Sequence, residues 1–517
     1  MTSIAGGVAS RSNDATGSLV VGISGFKHSA AVALCHSGAL ASVCQQERLT
    51  RVRGAGVERG GFPGAALEAV LEAVGRAQSD IAEVVVAEPG LRSAWPEGVR
   101  ELDHHRAHAG TAFLTSPFEE AAVVVSDNHS VPGVTVWRGR GSELTSVDVE
   151  WRGPSFASIY SRLTTLLGYA PRSESIVEGL ARLQANPDSG RATELITYRD
   201  GTLCLAPEFD EYVENVRDAD VREISLVAGS VQCRLGDLIV GFCRDVARST
   251  GETNLCLGGG LFYNTYINSA VRQASIFRQV HIPVNPGNGG VAAGCALIRE
   301  YERGAPRDQP RVASPFLGPE YTNEQIKKVL DNCKLRYGWV DDSQLIGLTA
   351  EALTRGEFVA WFRDGMEWGR RALGNRSIFA NPSAPFALEN LNRFLKHRPA
   401  YRMYGLVVRD EDLERFFDGP ACSPYMECEF TMRETAPFGP VQPPGTRRLQ
   451  VQTVGSECEP LRQLLAEFGQ RSGVPVLVNT SLNSFQEPIV CSPRDAVRVF
   501  FGNGIDVLFI GNFVVRK

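Results

Sequence analysis

No run in these 517 residues approaches the eighteen or so consecutive apolar positions that a bilayer-spanning helix needs, which argues against a membrane protein. Paired cysteine spacings are missing as well. Twelve cysteines are scattered singly, and the closest pair, Cys422 and Cys428, lacks the spacing of a zinc site. Cys35, Cys44 and Cys256 fall inside apolar strand-like runs, so the cysteines read as reduced core residues of a cytoplasmic protein. Positive charge is not in excess: the formal net charge is −6, which argues against nucleic acid as the principal partner. Residues 1–17 hold none of the apolar centre a signal peptide requires and are expected to form a disordered tail. What is left is an ordinary globular composition, 43% hydrophobic and 22% charged, in a chain too long for one core. Two α/β domains of unequal size are expected, with a boundary in the polar, proline-bearing segment 302–316.

Against this acidic background, one stretch is strongly basic. Residues 366–402 carry Arg370, Arg371, Arg376, Arg393, Lys396, Arg398 and Arg402 against only Glu367 and Glu389. Arginine's planar fork grips phosphate or carboxylate through two bonds at once, and Gly369 and Gly374 let backbone N–H groups come close. A solvated basic face would not interleave glycines, Trp368, Leu373 and Ile378 among its arginines, so the stretch reads as a pocket for a small phosphorylated ligand.

Earlier in the chain, two passages share one plan. Residues 19–23, 30–35 and 39–46 form strand, loop, strand, turn, strand, and the first loop holds Lys27 and His28. Residues 121–126, 133–138 and 143–151 repeat it, broken by Asp127-Asn128-His129. Two such hairpins are the plan by which actin-like ATPases hold nucleotide phosphates, an analogy of fold alone. Between them, D-H-H-R-A-H places His104 and His108 one helical turn apart. Neutral imidazoles on one face can bind a transition metal, and Asp127 would complete a two-histidine, one-carboxylate set favouring Fe2+ or Mn2+ over structural zinc. Glycine turns follow two later strands, in N-L-C-L-G-G-G-L-F-Y-N from Asn254 and V-N-P-G-N-G-G from Val284. Such turns let backbone approach a nucleoside or phosphate.

M-E-W-G-R-R-A-L-G-N-R-S-I, K-H-R-P-A-Y-R, V-P-V-L-V-N-T-S-L-N and E-P-I-V-C-S-P-R-D-A, with H-S-A-A-V-A-L and H-H-R-A-H-A-G-T-A-F nearer the N-terminus, resemble the O-carbamoyltransferases of the nodulation and antibiotic-tailoring family. The resemblance runs in order from about Val20 to the C-terminus. It implies an actin-like (ASKHA), Kae-like transfer domain over 18–301 and a YrdC-like α/β domain over 317–517. The second would join carbamoyl phosphate to ATP, with Mg2+, giving carbamoyladenylate and pyrophosphate. The first would pass the carbamoyl group to a hydroxyl or amine of a small natural-product acceptor. Carried over residue by residue, Lys396 and Arg402 would hold carbamoyl phosphate, and Arg371 and Arg376 would clamp ATP phosphates. Asn479 and Ser481 would bond the carbamoyl amide or nucleotide, and His28 would be the general base. His104, His108 and Asp127 would hold the metal, while Gly258, Gly259, Asn264 and Gly289 would border the nucleotide. No nucleic acid or membrane partner is implied, and a homodimer is left open.

This chain departs from the family pattern at four places: Asn288 stands for a metal carboxylate, Gln450 for an arginine, Ile176 for a lysine, and Asp127 leads into D-N-H-S-V. Arg447 and Arg448 could stand in for the missing arginine, and His129 for a lost ligand. Two alternatives follow from these swaps: the activation step serves a different acceptor or amide and acid chemistry, or the chain is a nucleotide-binding pseudo-enzyme partner.

Overall fold

The computed structural model describes residues 18–57, 62–87, 98–128, 131–184, 189–307, 312–399, 401–438 and 446–517. The expected N-terminal tail, His129 and part of the expected linker lie outside the described residues.

Strand β1 (Leu19–Ser24) is buried along its whole length, as an apolar strand covered on both faces must be. It forms an antiparallel hairpin set with β2 (Ala31–His36) and β3 (Ala39–Gln45) and runs parallel to β4 (Ile81–Val86), which pairs in turn with β5 (Val99–Glu101). The order is β3-β2-β1-β4-β5. The second passage builds the same sheet again. Strands β6 (Glu120–Ser126), β7 (Val134–Arg140) and β8 (Glu143–Val147) form the hairpins. After a small separate hairpin of β9 (Ile196–Arg199) and β10 (Thr202–Leu205), strands β11 (Asn254–Gly258) and β12 (Gln279–His281) complete the order β12-β11-β6-β7-β8. Two sheets of identical topology in tandem are the actin-like architecture.

The halves share their cover. Helix His104–Leu114, which follows the first sheet, packs on β6 and β11 of the second; helix Asn288–Glu302, which follows the second, packs on β1 and β2 of the first. Small residues make this close packing possible. A Cβ on Gly294 would stand 1.9 Å from the Ala107 carbonyl oxygen, and one on Gly22 would stand 1.9 Å from that of Ala292.

A long helix spans Val221–Thr250, capped by Asp220. It is long and apolar enough, by length and composition, to cross a bilayer, contrary to the run count, but most of its apolar window is buried with Val231, Leu235, Ile239 and Phe242 in the second half's core.

The remaining chain forms a second α/β domain on one ten-stranded mixed sheet. Alternation sorts its faces. Val359, Trp361 and Phe379 meet helices Asp342–Thr354 and Glu459–Ser472, while Ala360, Phe362 and Ile378 meet helices Asn323–Asn332 and Pro493–Gly502. The chain ends in a hairpin, Val507–Ile510 with Phe513–Arg516, where Gly511 takes φ +54° and turns the chain with Asn512. The domains are knitted together. Arg48 donates to the Gly369 carbonyl at 2.7 Å, Arg51 to those of Pro488 and Ile489 at 2.7 Å each, and Trp368 and Leu373 join the first domain's core.

Candidate active site and metal centre

The carboxyl ends of β1, β6 and β11 and the N-termini of both exchanged helices converge on one region, the place where α/β folds hold ligands. One helical turn brings His104 and His108 together, with ring centroids 4.7 Å apart. Asp127 follows the last residue of β6. The His104, His108 and Asp127 ligand atoms lie within 4.8 Å of one another, and all three residues are buried.

The donor set suits a cation. Nδ1 of His104 donates to the Ala87 carbonyl at 3.0 Å, which turns Nε2 towards Asp127 Oδ2, 3.2 Å away. Nδ1 of His108 donates to the Pro286 carbonyl at 3.0 Å, leaving its buried Nε2 with no hydrogen-bond partner. Carbonyls that fix the tautomer in this way present lone pairs to a metal. Burial, and then the neighbouring His104, pull His108 down to about 3, so it is neutral at pH 7 and ready to ligate. Asn288, at the first position of helix Asn288–Glu302, stands close to His108, so the amide replacing the family's carboxylate sits at this centre.

The glycines of the second turn are forced. Gly259 has φ +104°, and a Cβ there would stand 2.1 Å from the Ser126 carbonyl oxygen; one on Gly258 would stand 3.0 Å from that of His108. Both clear backbone of the strand and helix that carry the His104, His108 and Asp127 cluster. Gly289 accommodates Gln45, whose Nε2 would lie 2.3 Å from a Cβ. Asn264 is spent on structure. Its Oδ1 caps helix Thr265–Gln273 through the Ile267 N–H, and its Nδ2 donates to Gln232.

His28 lines a cleft of ≈ 850 Å³ together with Lys27, Asn128, Ile159, Arg172 and Glu174. Its loop is tied to residues 54–57 by three backbone hydrogen bonds, Ser29 N to Gly54 O at 3.1 Å, Ala30 N to Ala55 O at 2.8 Å and Val57 N to Phe26 O at 2.8 Å. Those bonds bring Arg53, which carries no sequence motif, to the same region.

The basic stretch divides in two. Its loop winds around the buried Glu367, whose Oε1 accepts the N–H groups of Leu373, Asn375 and Arg376 at 2.9, 2.9 and 3.1 Å. This winding turns Arg376 inward. Its guanidinium stacks 3.7 Å from the Phe362 ring centre and donates to the carbonyls of Arg363, Asn375, Pro319 and Asp364, so its terminal nitrogens are spent on the interior and not on ATP. Arg371 likewise donates to the carbonyls of Tyr263, Tyr425 and Met426, joining the domains.

Arg370 and Arg402 face outward. Together with Arg53 they form a group of cations whose side chains donate no hydrogen bond to any described residue. Burial, and then Arg398, Arg53 and Arg370, hold Arg402 down to about 10. Partial burial and then Arg370 lower Arg53 in the same way. Lys396 ends the turn Leu391–Lys396, buried, its ammonium donating to the Ser481 carbonyl and to Asn483 O and Oδ1 at 3.2 and 2.7 Å. Burial and then Arg398 push Lys396 well below the usual lysine range. Ser481 thus contributes its carbonyl, and its hydroxyl donates to Asn483 at 2.8 Å. Asn479 donates to Ala372 O and Gln452, while its buried Oδ1 has no partner.

Gln450 joins a buried network across the domains. Arg182 donates to Glu429 at 2.6 Å and to Glu178 at 2.7 Å, and Gln450 donates to Glu178 at 3.4 Å. Arg447 pairs with Glu434 and Arg448 lies over Tyr266, so neither takes the place of the missing arginine. Ile176 packs against the second half's core.

Two family descriptions match this chain: "Carbamoyltransferase N-terminus" over residues 89–297 and "Carbamoyltransferase C-terminus" over residues 350–517. The chain belongs to the carbamoyltransferase family. Relatives of the carbamoyltransferase include the protein sll1178 of Synechocystis, 28% identical with 96% of each chain covered. Nodulation protein NolO of Bradyrhizobium diazoefficiens is 29% identical over 80% of this chain and 79% of its own. Nodulation protein U of Sinorhizobium fredii is 29% identical over 74% and 72%. Substitution of His108 by alanine in the carbamoyltransferase is expected to reduce tightly bound iron or manganese from about one ion per chain by tenfold or more, read by elemental mass spectrometry after dialysis.

Proposed function

We propose that the second domain makes carbamoyladenylate and that the first transfers its carbamoyl group to a hydroxyl, or an amine, of a small acceptor of specialised metabolism. The observation that carries this reading is the group Arg53, Arg370 and Arg402, cations that form no ion pair with a described residue where the two domains meet, together with the buried Lys396, whose hydrogen bonds to described residues all go to neutral oxygens. Such a group calls for a phosphorylated ligand.

In the first step, water releases inorganic phosphate from carbamoyl phosphate. The carbamate oxygen then bonds to the α-phosphorus of ATP, and the α–β bond breaks to release pyrophosphate. Lys396 and Arg402 hold the phosphate of the donor, and Arg370 and Arg53, in place of the expected Arg371 and Arg376, offset charge on the ATP phosphates, with Mg2+ as the nucleotide's counter-ion. In the second step, the acceptor oxygen bonds to the carbamoyl carbon, AMP leaves with the electron pair, and His28 takes the proton. A metal held by His104, His108 and Asp127 would supply a fixed positive charge for the adenylate phosphate. Support for this reading is the family membership together with the cation group where the two domains meet.

The test is pyrophosphate release by purified protein given ATP, Mg2+ and carbamoyl phosphate. Release that requires all three supports adenylation. If ATP binds and no pyrophosphate forms, the nucleotide-binding pseudo-enzyme reading takes its place.

A further inference from the structure

The cleft that holds His28 has a charge pattern that the two-step chemistry does not use. Its walls come from the loop after β1, from Asn128, from helix Phe156–Leu166 and from the segment 171–174. Three charged side chains besides the engaged Arg162, namely Lys27, Arg172 and Glu174, need accounting. Arg162 is neutralised by Asp210, with Nε to Oδ1 at 2.7 Å. Glu174 stands in the first turn of helix Glu174–Ala181, where the helix dipole favours a negative charge, and its Oε1 accepts the Ser161 hydroxyl at 2.9 Å. Ser161 in turn accepts from Asn128 Nδ2 at 3.1 Å. The wall's carboxylate is therefore already satisfied by the protein.

Its cations are not. Lys27 makes no side-chain hydrogen bond or ion pair with a described residue, and Arg172 reaches only the Gly54 carbonyl at 3.5 Å, a contact too long to count for much. Both are solvent-exposed along this cleft. Arg53 reinforces them, since Arg172 is among the charges that lower it. Pro154, Ile159, Pro171 and Leu205 give the wall its apolar surface, with Ser158 and Thr165 as polar points among them. Lys27 is also the immediate neighbour of the proposed base, His28.

We propose that the acceptor is a hydroxy acid: a small molecule with an apolar body whose carboxylate or phosphate is held by Lys27 and Arg172 while its hydroxyl is presented to His28. The assignment rests on the carbamoyl-transfer reading of this cleft and names the acceptor class that reading leaves open. A neutral polyol would leave both cations unpaired, and a polyamine would be repelled by them.

Two matched pairs test it by calorimetry: 3-hydroxybenzoate against 3-hydroxybenzyl alcohol, and glucose 6-phosphate against glucose. At low salt the wild-type protein should bind at least one acid roughly tenfold more tightly than its neutral partner, and the pair that responds separates a carboxylate from a phosphate ligand. Lys27→Glu with Arg172→Glu should abolish or invert that preference, and Lys27→Arg should keep it. Acids bound no better than their neutral partners, including no binding by any probe, overturn the proposal, as does a preference that survives charge reversal. Pyrophosphate release by the wild-type protein, assayed without an acceptor, reports separately on the adenylation reading.

Discussion

Replacing Lys396 with alanine is expected to lower carbamoyl-phosphate-dependent pyrophosphate release by about 100-fold or more, the magnitude associated with removing one preorganised charge from a transition state. The cage explains why the loss should be large. The ammonium is buried against Ser481 and Asn483 with no carboxylate beside it, so its charge is stabilised chiefly by whatever anion arrives. Lys396→Arg should not rescue activity, because a planar guanidinium cannot place three donors on a carbonyl, a second carbonyl and an amide oxygen arranged around a point. The pH profile carries the same signature. Burial lowers the lysine, a base that is charged only below its pKa, so release should decline on the alkaline side earlier than an ordinary lysine would dictate. Saturating carbamoyl phosphate should move that limb upward, since a bound dianion favours the charged form. A profile flat through the alkaline range, or full activity in the alanine variant, would remove Lys396 from the reaction.

The largest effect on stability is expected at Arg182. It is the shared partner of two buried carboxylates, Glu178 and Glu429, from different domains, and Thr265 and Gln450 complete the network. Arg182→Met strands both. Leaving a buried charge without its partner costs about 3–5 kcal/mol, which in a chain of this size corresponds to a fall in melting temperature of about 3–5 °C. Burial alone would raise Glu178, but Arg182, Arg371 and the Thr265 bonds outweigh it and hold it below the usual carboxylate range. A carboxylate lowered in the folded state stabilises above its unfolded pKa of about 4.3, and that contribution is lost as the pH falls through the folded value. The gap between wild type and Arg182→Met should therefore be widest at neutral pH and narrow on acidification. Adding Glu178→Gln and Glu429→Gln to Arg182→Met should recover part of the loss. A single variant as stable as the wild type at pH 7 would show that the network contributes nothing.

How much of this was legible in the chain depends on distance along it. The hairpins and the shared face of His104 and His108 follow from local periods of two and 3.6 residues, and the structure has them where the sequence puts them. Charge counting also found the basic stretch. It could not sort the arginines, because whether a guanidinium points inward is decided by partners with no mark in the local sequence: Glu367 winding the loop, Phe362 beneath Arg376, and the Tyr263 carbonyl from the other domain for Arg371. Arg53 escaped for the same reason, standing in an unremarkable local context and reaching its site through contacts far away in sequence, and Asn483, although it ends a quoted motif, shows its role only through Lys396. Asn264 shows the reverse error, where a polar residue after a glycine turn looked like a ligand contact and is a helix cap.

The exchange of covering helices has a consequence for how the chain is made. The first sheet ends its last strand at Glu101, yet the helix that closes its inner face begins only at Asn288. While the ribosome works through everything between, Val20, Ala31 and Ala33 have nothing to pack against, and an uncovered apolar sheet is a surface for aggregation. The first domain is thus completed from its far end, with its opening strands waiting for the last helix to emerge.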